Sequence, residues 1–474
     1  MHNNIVRNFL KNLSYALLSN LFSFLISISV SLFVPKIIGL KSYAYFQLYI
    51  FYSLYVGFMH FGWNDGIYLR YGGKQYSDLD KDVFFSQFYM QLFLQIFFAI
   101  AFYFFSKFLE IESEKKIIFY FVIICMVITN MRFMLLYTLQ ATNRIKEYAQ
   151  IIFTGRFSYF ISIFIILFFS NNFRFLIIAD LFGRLTSFVY AILLTRDIVF
   201  QNIVKFKFTF IEAKNNILCG INIMFTNTIG MLTIGIIRLL IERSWDIIVF
   251  GQISLTLNIA NLFVLFVNAV GVVIFPTLRR IDNSKLVDIY HSIRFIIFIF
   301  FFGVLVFYYP IYNVVLYWLP KYKDGLVFFS LLMPICVYES KVALLINTYY
   351  KNIRKEKELF HVNIVILLIS VFISIFTIIV LHELTFAVLS ITIIVMLKSI
   401  ISELYLHRIL KIKIYKNLFS ELILTIGFIL CSKFFSSWYI TISYTLLYLL
   451  VAIFNSQEMK SSFLYLKRSV QGNA

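Results

Sequence analysis

The sequence predicts an all-α integral membrane protein of about 14 transmembrane helices. Three observations predict it. Of 474 residues, 61% are apolar and only 14% charged, with a mean hydropathy of +0.87, which excludes a water-soluble chain. Apolar runs follow one another along the whole length, each near the roughly 20 residues that cross a bilayer as a helix. The basic residues alternate from one side of these runs to the other.

Taken in order, the runs fall near residues 13–34, 43–62, 84–108, 117–140, 148–170 and 174–195. After a basic linker come 217–241, 247–275, 293–317, 326–350, 360–381 and 384–407, then a close pair at 417–435 and 437–455. The first run follows Arg7 and Lys11 and is trailed by Pro35. It is too long for a signal-peptide core and no small-residue cleavage site follows it.

The chain carries 42 Lys plus Arg against 23 Asp plus Glu, a net charge of +19. Most of that excess is topology. With the N-terminus in the cytoplasm, 25 basic residues lie on inside segments, 10 at outside loops and neighbouring span ends, and seven within spans. This distribution gives an even number of spans with both termini inside, and leaves nucleic acid without a role. The two longest loops, 63–83 and 196–216, are both cytoplasmic.

Six spans, six spans and a final pair define three segments: an N-lobe at 1–208, a C-lobe at 209–410, and a helix pair with a cytoplasmic tail at 411–474. Both lobes start inside, which implies a pseudo-two-fold axis along the membrane normal. A shift of 205 residues places Gln47 on Gln252 and Gly66 on Gly271.

Basic residues within the spans carry the functional signal, because a charge at the bilayer centre costs about 2.5–3.5 kcal/mol on insertion scales. Arg132 and Lys341 each sit 15 residues into the fourth span of their half, and Arg184 and Lys398 lie deep in the sixth. These four are expected to line an anion-accepting cavity. Asp180, one turn from Arg184, is its expected partner; Glu339 is read as facing away from Lys341. Arg238 and Arg294 are close enough to span ends to reach the interface, and Arg156 is balanced between interface and cavity.

Polar uncharged residues add a second layer. Gln87, Gln91 and Gln95 recur every four residues, and Asn222, Asn227, Asn258 and Asn261 lie on the seventh and eighth spans. Amides are costly to bury, so they are expected on a hydrated face that meets sugar hydroxyls. Ser19, Ser23, Ser27 and Ser31 serve close helix packing equally well. The four cysteines and six histidines are scattered without metal-ligand spacing, and no Walker-type loop is present. Neither a metal nor a bound cofactor is expected.

Three stretches resemble the polysaccharide flippases, the Wzx-type branch of the MOP superfamily that also holds the MATE exporters and the lipid II flippases. They are VPKIIGLKSYAYFQL followed by FGWNDGIYLRY, with Pro35, Gly39, Tyr43, Gly62, Gly66, Arg70 and Tyr71; VVIFPTLRRID at 272–282; and YWLPKYKDGLVFFSLLMPI at 317–335. The resemblance implies a non-enzymatic flippase in the bacterial inner membrane. Its cargo would be an undecaprenyl-diphosphate-linked oligosaccharide for O-antigen, capsule or exopolysaccharide, with polymerase and chain-length proteins as pathway partners. Arg70, Arg279 and Arg280 would stand at the cytoplasmic mouth. The residues leave the coupling open between the membrane potential and proton or sodium exchange. A MATE-like exporter would share the fold but favour carboxylates for cationic drugs. A glycan polymerase or ligase would want a long external loop that is not seen.

Overall fold

The computed structural model describes residues 21–108, 110–278, 286–353, 355–410 and 415–456. Among them the secondary structure is helical, without a strand. Eleven helices are long and apolar enough to cross a membrane, and two shorter apolar helices accompany them. The chain divides into two compact units, Met1–Ile229 and Gly230–Ala474.

The first unit holds α1 (Leu21–Ile37), α2 (Leu40–Ser53), α3 (Trp63–Arg70), α4 (Lys81–Lys107), α5 (Ser113–Ala141), α6 (Ile145–Phe169) and α7 (Phe173–Leu194). The helix α8 (Phe210–Ser244) contains the division between the units, so the cut falls within a helix and not in the basic linker before it. The helix α5 packs against α2, α3, α4, α6 and α7. Its buried stripe of Met131, Met134, Leu135 and Leu139 anchors the core of this unit. Phe93, Phe97 and Phe104 on α4 and Phe168 and Phe169 on α6 are exposed, as an apolar environment allows.

The second expected span is not one helix. The helix α2 stops at Ser53, a 3-10 turn covers Val56–His60, and α3 starts at Trp63. Between them Phe61 and Gly62 take positive φ, 50° and 79°, so the glycine meets a left-handed backbone without a Cβ penalty. Hydropathy cannot see this break, because it runs through apolar residues. The break frees backbone carbonyls, which in lipid need an internal partner. Asn130 Nδ2 donates to the Val56 carbonyl at 3.0 Å, and Gln95 Nε2 donates to the Met59 carbonyl at 2.9 Å.

Gly66 lets α3 lie directly on α8: a Cβ there would overlap the Asn216 carbonyl oxygen. Gly66→Ala is therefore expected to destabilise the fold by about 1–3 kcal/mol, the usual cost of overpacking. Thermal unfolding of the purified variant measures it.

The second unit continues with α9 (Ile247–Leu278), α10 (Leu286–Val306) and α11 (Tyr308–Trp318). The expected span 293–317 is broken at Phe307, two residues before Tyr309–Pro310, whose proline ring tolerates only the first turn of a helix. Next come α12 (Phe329–Tyr350), α13 (Lys357–Val380), α14 (Leu384–Leu410), α15 (Tyr415–Phe434) and α16 (Trp438–Phe454). The helix α12 packs on α9, α10, α14 and α15 and is the most enclosed span of this unit. It turns π-helical at Val342–Ile346, immediately after Lys341. All four cysteines are free; Cys125 and Cys336 are buried, whereas Cys219 is exposed.

Candidate functional site

In the first unit α6 and α7 cross at their glycines. A Cβ on Gly155 would come within 2.7 Å of the Ser187 Cβ, and one on Gly183 within 2.7 Å of the Tyr159 Cβ. Small residues let the two backbones approach, which is how helices associate in a solvent without a hydrophobic drive between them. The next residue on each helix is an arginine, Arg156 and Arg184. Together with Arg132 of α5 they line a cavity of about 320 Å³, whose wall also holds Tyr137, Tyr148, Tyr159 and one carboxylate, Asp180.

The three guanidinium groups are not equivalent. Arg184 is saturated: its Nε donates to Asp180 Oδ2 at 2.7 Å, Nη1 to Thr129 at 3.1 Å and Nη2 to Ser53 at 3.4 Å. Tyr49 donates to the same Asp180 oxygen at 2.7 Å. The expected Asp180–Arg184 pair is thus present, one turn apart on α7.

Arg132 has no carboxylate partner among the described residues. It donates to Ser187 at 3.3 Å, its guanidinium lies 5.2 Å from the Phe133 ring centroid, and its Nε is buried without an acceptor. Arg156 forms no hydrogen bond or ion pair among the described residues and is exposed to the cavity. Two guanidinium charges are therefore left uncompensated around one opening. In a low-dielectric surrounding such a pair stabilises an anion strongly.

The structure brings together Arg132 and Arg184 of the expected cavity cations and adds Arg156. It places the others differently. Lys341 is not an open cavity cation: its Nζ donates to Glu403 Oε2 at 2.7 Å and to Glu421 Oε2 at 2.6 Å, with a side chain 3% exposed. Arg294 does not reach an interface. It binds the same two carboxylates, at 2.6 Å to Glu403 and 2.7 Å to Glu421, and Tyr290 donates to Glu403 at 2.7 Å. Four buried charges on α10, α12, α14 and α15 neutralise one another. Lys398 pairs with Glu339 at 3.6 Å, so the acid that faces away from Lys341 serves the neighbouring lysine instead.

Asn222 and Asn227 are exposed on α8, and Asn258 and Asn261 are half-buried on α9; none of the four lines the cavity. Arg70 donates to Glu212 and Asn216, both at 2.6 Å, which fastens α3 to the start of α8. Arg279 and Arg280 lie outside the described residues.

Two glutamines of the stripe, Gln87 and Gln95, bind protein groups. Gln87 accepts from Trp63 Nε1 at 2.9 Å and from Asn216 Nδ2 at 2.7 Å, and Gln95 serves the broken helix. Gln91 is fully buried with both amide atoms unpartnered. An unsatisfied buried amide costs about 1–3 kcal/mol, so Gln91→Leu is expected to raise the thermal midpoint; a lowered midpoint would show that the amide is bonded in the folded protein.

No protein-family model and no curated protein sequence matches the chain. Solved structures do. The lipid II flippase MurJ in its inward closed conformation superposes with a TM-score of 0.66 at 17% identity, covering 93% of this chain and 99% of its own. An inward-facing multidrug resistance MATE family transporter of the MOP superfamily gives 0.60 at 15%, covering 83% and 94%. A MOP superfamily transporter from Pyrococcus furiosus, described by the reverse polarity of its binding pocket, gives 0.50 at 14%, covering 84% and 95%. The chain has the all-helical membrane-protein fold of these MOP-superfamily flippases and exporters.

Proposed function

We propose that the protein is a flippase that moves an undecaprenyl-diphosphate-linked oligosaccharide from the cytoplasmic to the outer leaflet by alternating access, supplying surface polysaccharide assembly. The observation that carries this reading is the cavity of the first unit, with Arg132 and Arg156 uncompensated and a single carboxylate already committed to Arg184. A diphosphate headgroup cannot cross hydrocarbon unaided. Guanidinium groups give it charge-assisted and bidentate hydrogen bonds, the cavity tyrosines offer hydroxyls and ring faces to sugars, and the lipid tail stays in the bilayer.

With the cytoplasm negative, each net negative charge carried outward gains about 2.3 kcal/mol per 100 mV. The positive-inside distribution supports cytoplasmic N- and C-termini, and the flippase reading implies a bacterial inner membrane. An exporter of cationic drugs on the same fold would need carboxylates facing its cavity, and the one present here is taken.

The reading is tested in a strain that lacks its polysaccharide flippase. Expression of this chain together with the cognate sugar-assembly enzymes is expected to restore surface polysaccharide and to leave resistance to cationic dyes unchanged. Dye resistance without polysaccharide would assign the chain to drug export.

A further inference from the structure

The stretch VPKIIGLKSYAYFQL contributes a second polar opening that the cavity does not use. At the end of the first unit where α2, α5 and α7 begin, Lys41 and Tyr45 of α2 face Asn171, Asn172, Phe173 and Arg174 across a cleft of about 440 Å³, within the roughly 300–1,000 Å³ of small-molecule sites. In the orientation given by the positive-inside distribution, this end faces away from the cytoplasm.

We infer that this cleft is a binding site for a glycosyl phosphate group, so that the first unit holds an external subsite in addition to its internal cavity. The choice of a glycosyl phosphate rests on the flippase reading above; the cleft itself does not.

Its chemistry is divided as such a ligand requires. Lys41 and Arg174 form no ion pair among the described residues, and each holds its charged head over a ring, Lys41 Nζ above Tyr45 and the Arg174 guanidinium above Phe173, both 5.9 Å from the centroid. The two rings are buried and pack against each other at 5.0 Å, which fixes the base of the cleft beneath its charged and amide groups. Asn172 spends its oxygen on the Arg174 backbone N–H at 3.0 Å, which leaves its NH₂ group, and the whole Asn171 amide, for hydroxyls or phosphate oxygens. Glu114 also lines the cleft. It offsets one of the two cations, so the lining keeps one net positive charge for the phosphate group.

The test is isothermal titration of glucose 1-phosphate into the full chain in nanodiscs of neutral lipid. Wild type is expected to bind at two classes of site, one removed by Lys41→Ala/Arg174→Ala and the other by Arg132→Ala/Arg156→Ala. Both cleft residues are exposed, so their variant keeps the wild-type melting curve; Asn171→Ala/Asn172→Ala, also on the surface, is expected to weaken the same class at least tenfold. Unchanged stoichiometry in Lys41→Ala/Arg174→Ala overturns the inference. Inorganic phosphate binding the cleft as tightly as glucose 1-phosphate also overturns it, as does competition by anionic lipid in the nanodisc, which would make the cleft a headgroup site. Loss of only the cleft class, with Arg132→Ala/Arg156→Ala silent, supports the cleft while removing the cavity reading.

Discussion

Replacing Glu421 with alanine is expected to cost the folded protein about 3–5 kcal/mol, because it strands a buried positive charge. Arg294 and Lys341 share Glu403 and Glu421, and all four side chains are 3% exposed or less. Deleting one acid leaves two buried cations on one carboxylate. The double variant Glu421→Gln/Lys341→Met keeps the cluster neutral by retaining Arg294 with Glu403, and is expected to recover most of the loss. Thermal or denaturant unfolding of Glu421→Gln, Lys341→Met and the double variant gives the coupling energy directly. A single variant within about 1 kcal/mol of wild type would mean that the cluster is hydrated and not closed.

The second large effect is on transport and should leave folding alone. Arg132→Ala and Arg156→Ala each remove a cation that has no acid to strand. If each contributes one hydrogen bond to a charged cargo, worth about 1.5–3 kcal/mol, export falls about 10- to 150-fold per variant at unchanged melting temperature. Arg184 and Lys341 are poorer choices for this experiment. Arg184→Ala strands Asp180, and Lys341→Ala leaves two glutamates on Arg294 alone, so lost export would report lost structure. Export assayed beside membrane abundance separates the two classes of variant.

Which of these residues the sequence reveals follows from the range of the interaction. The Asp180–Arg184 pair is one helical turn long, and spacing alone predicts it. The depth of Arg132 and Lys341 is equally plain, since both are charges in the middle of apolar runs. Their partners are not, because Lys341 meets Glu403 and Glu421 62 and 80 residues further on. No local pattern encodes that approach, and Glu421 reads as a residue near the start of a span. Nearness to a span end places Arg294 at an interface, a measure that ignores which face of α10 the side chain leaves.

Arg156 is the case that depth alone leaves open. Its distance from the cytoplasmic end permits snorkelling, yet the crossing at Gly155 and Gly183 turns it toward the cavity. The period of Gln87, Gln91 and Gln95 correctly places them on one face of α4. What the face meets is the broken second helix, and the break depends on a left-handed Phe61–Gly62 pair within a run whose hydropathy is uninterrupted. The all-helical membrane fold is therefore readable from hydropathy, whereas the breaks within spans and the pairing of buried polar groups require the tertiary contacts.

The central claim is that two uncompensated arginines in the first unit hold the anionic headgroup of a lipid-linked oligosaccharide during its passage. The most direct measurement is leaflet exposure of a labelled undecaprenyl-diphosphate-linked oligosaccharide in proteoliposomes, comparing wild type with Arg132→Ala/Arg156→Ala at matched melting temperature. The account predicts flipping by wild type and its loss in the double variant. A folded double variant that flips the lipid at the wild-type rate would contradict it.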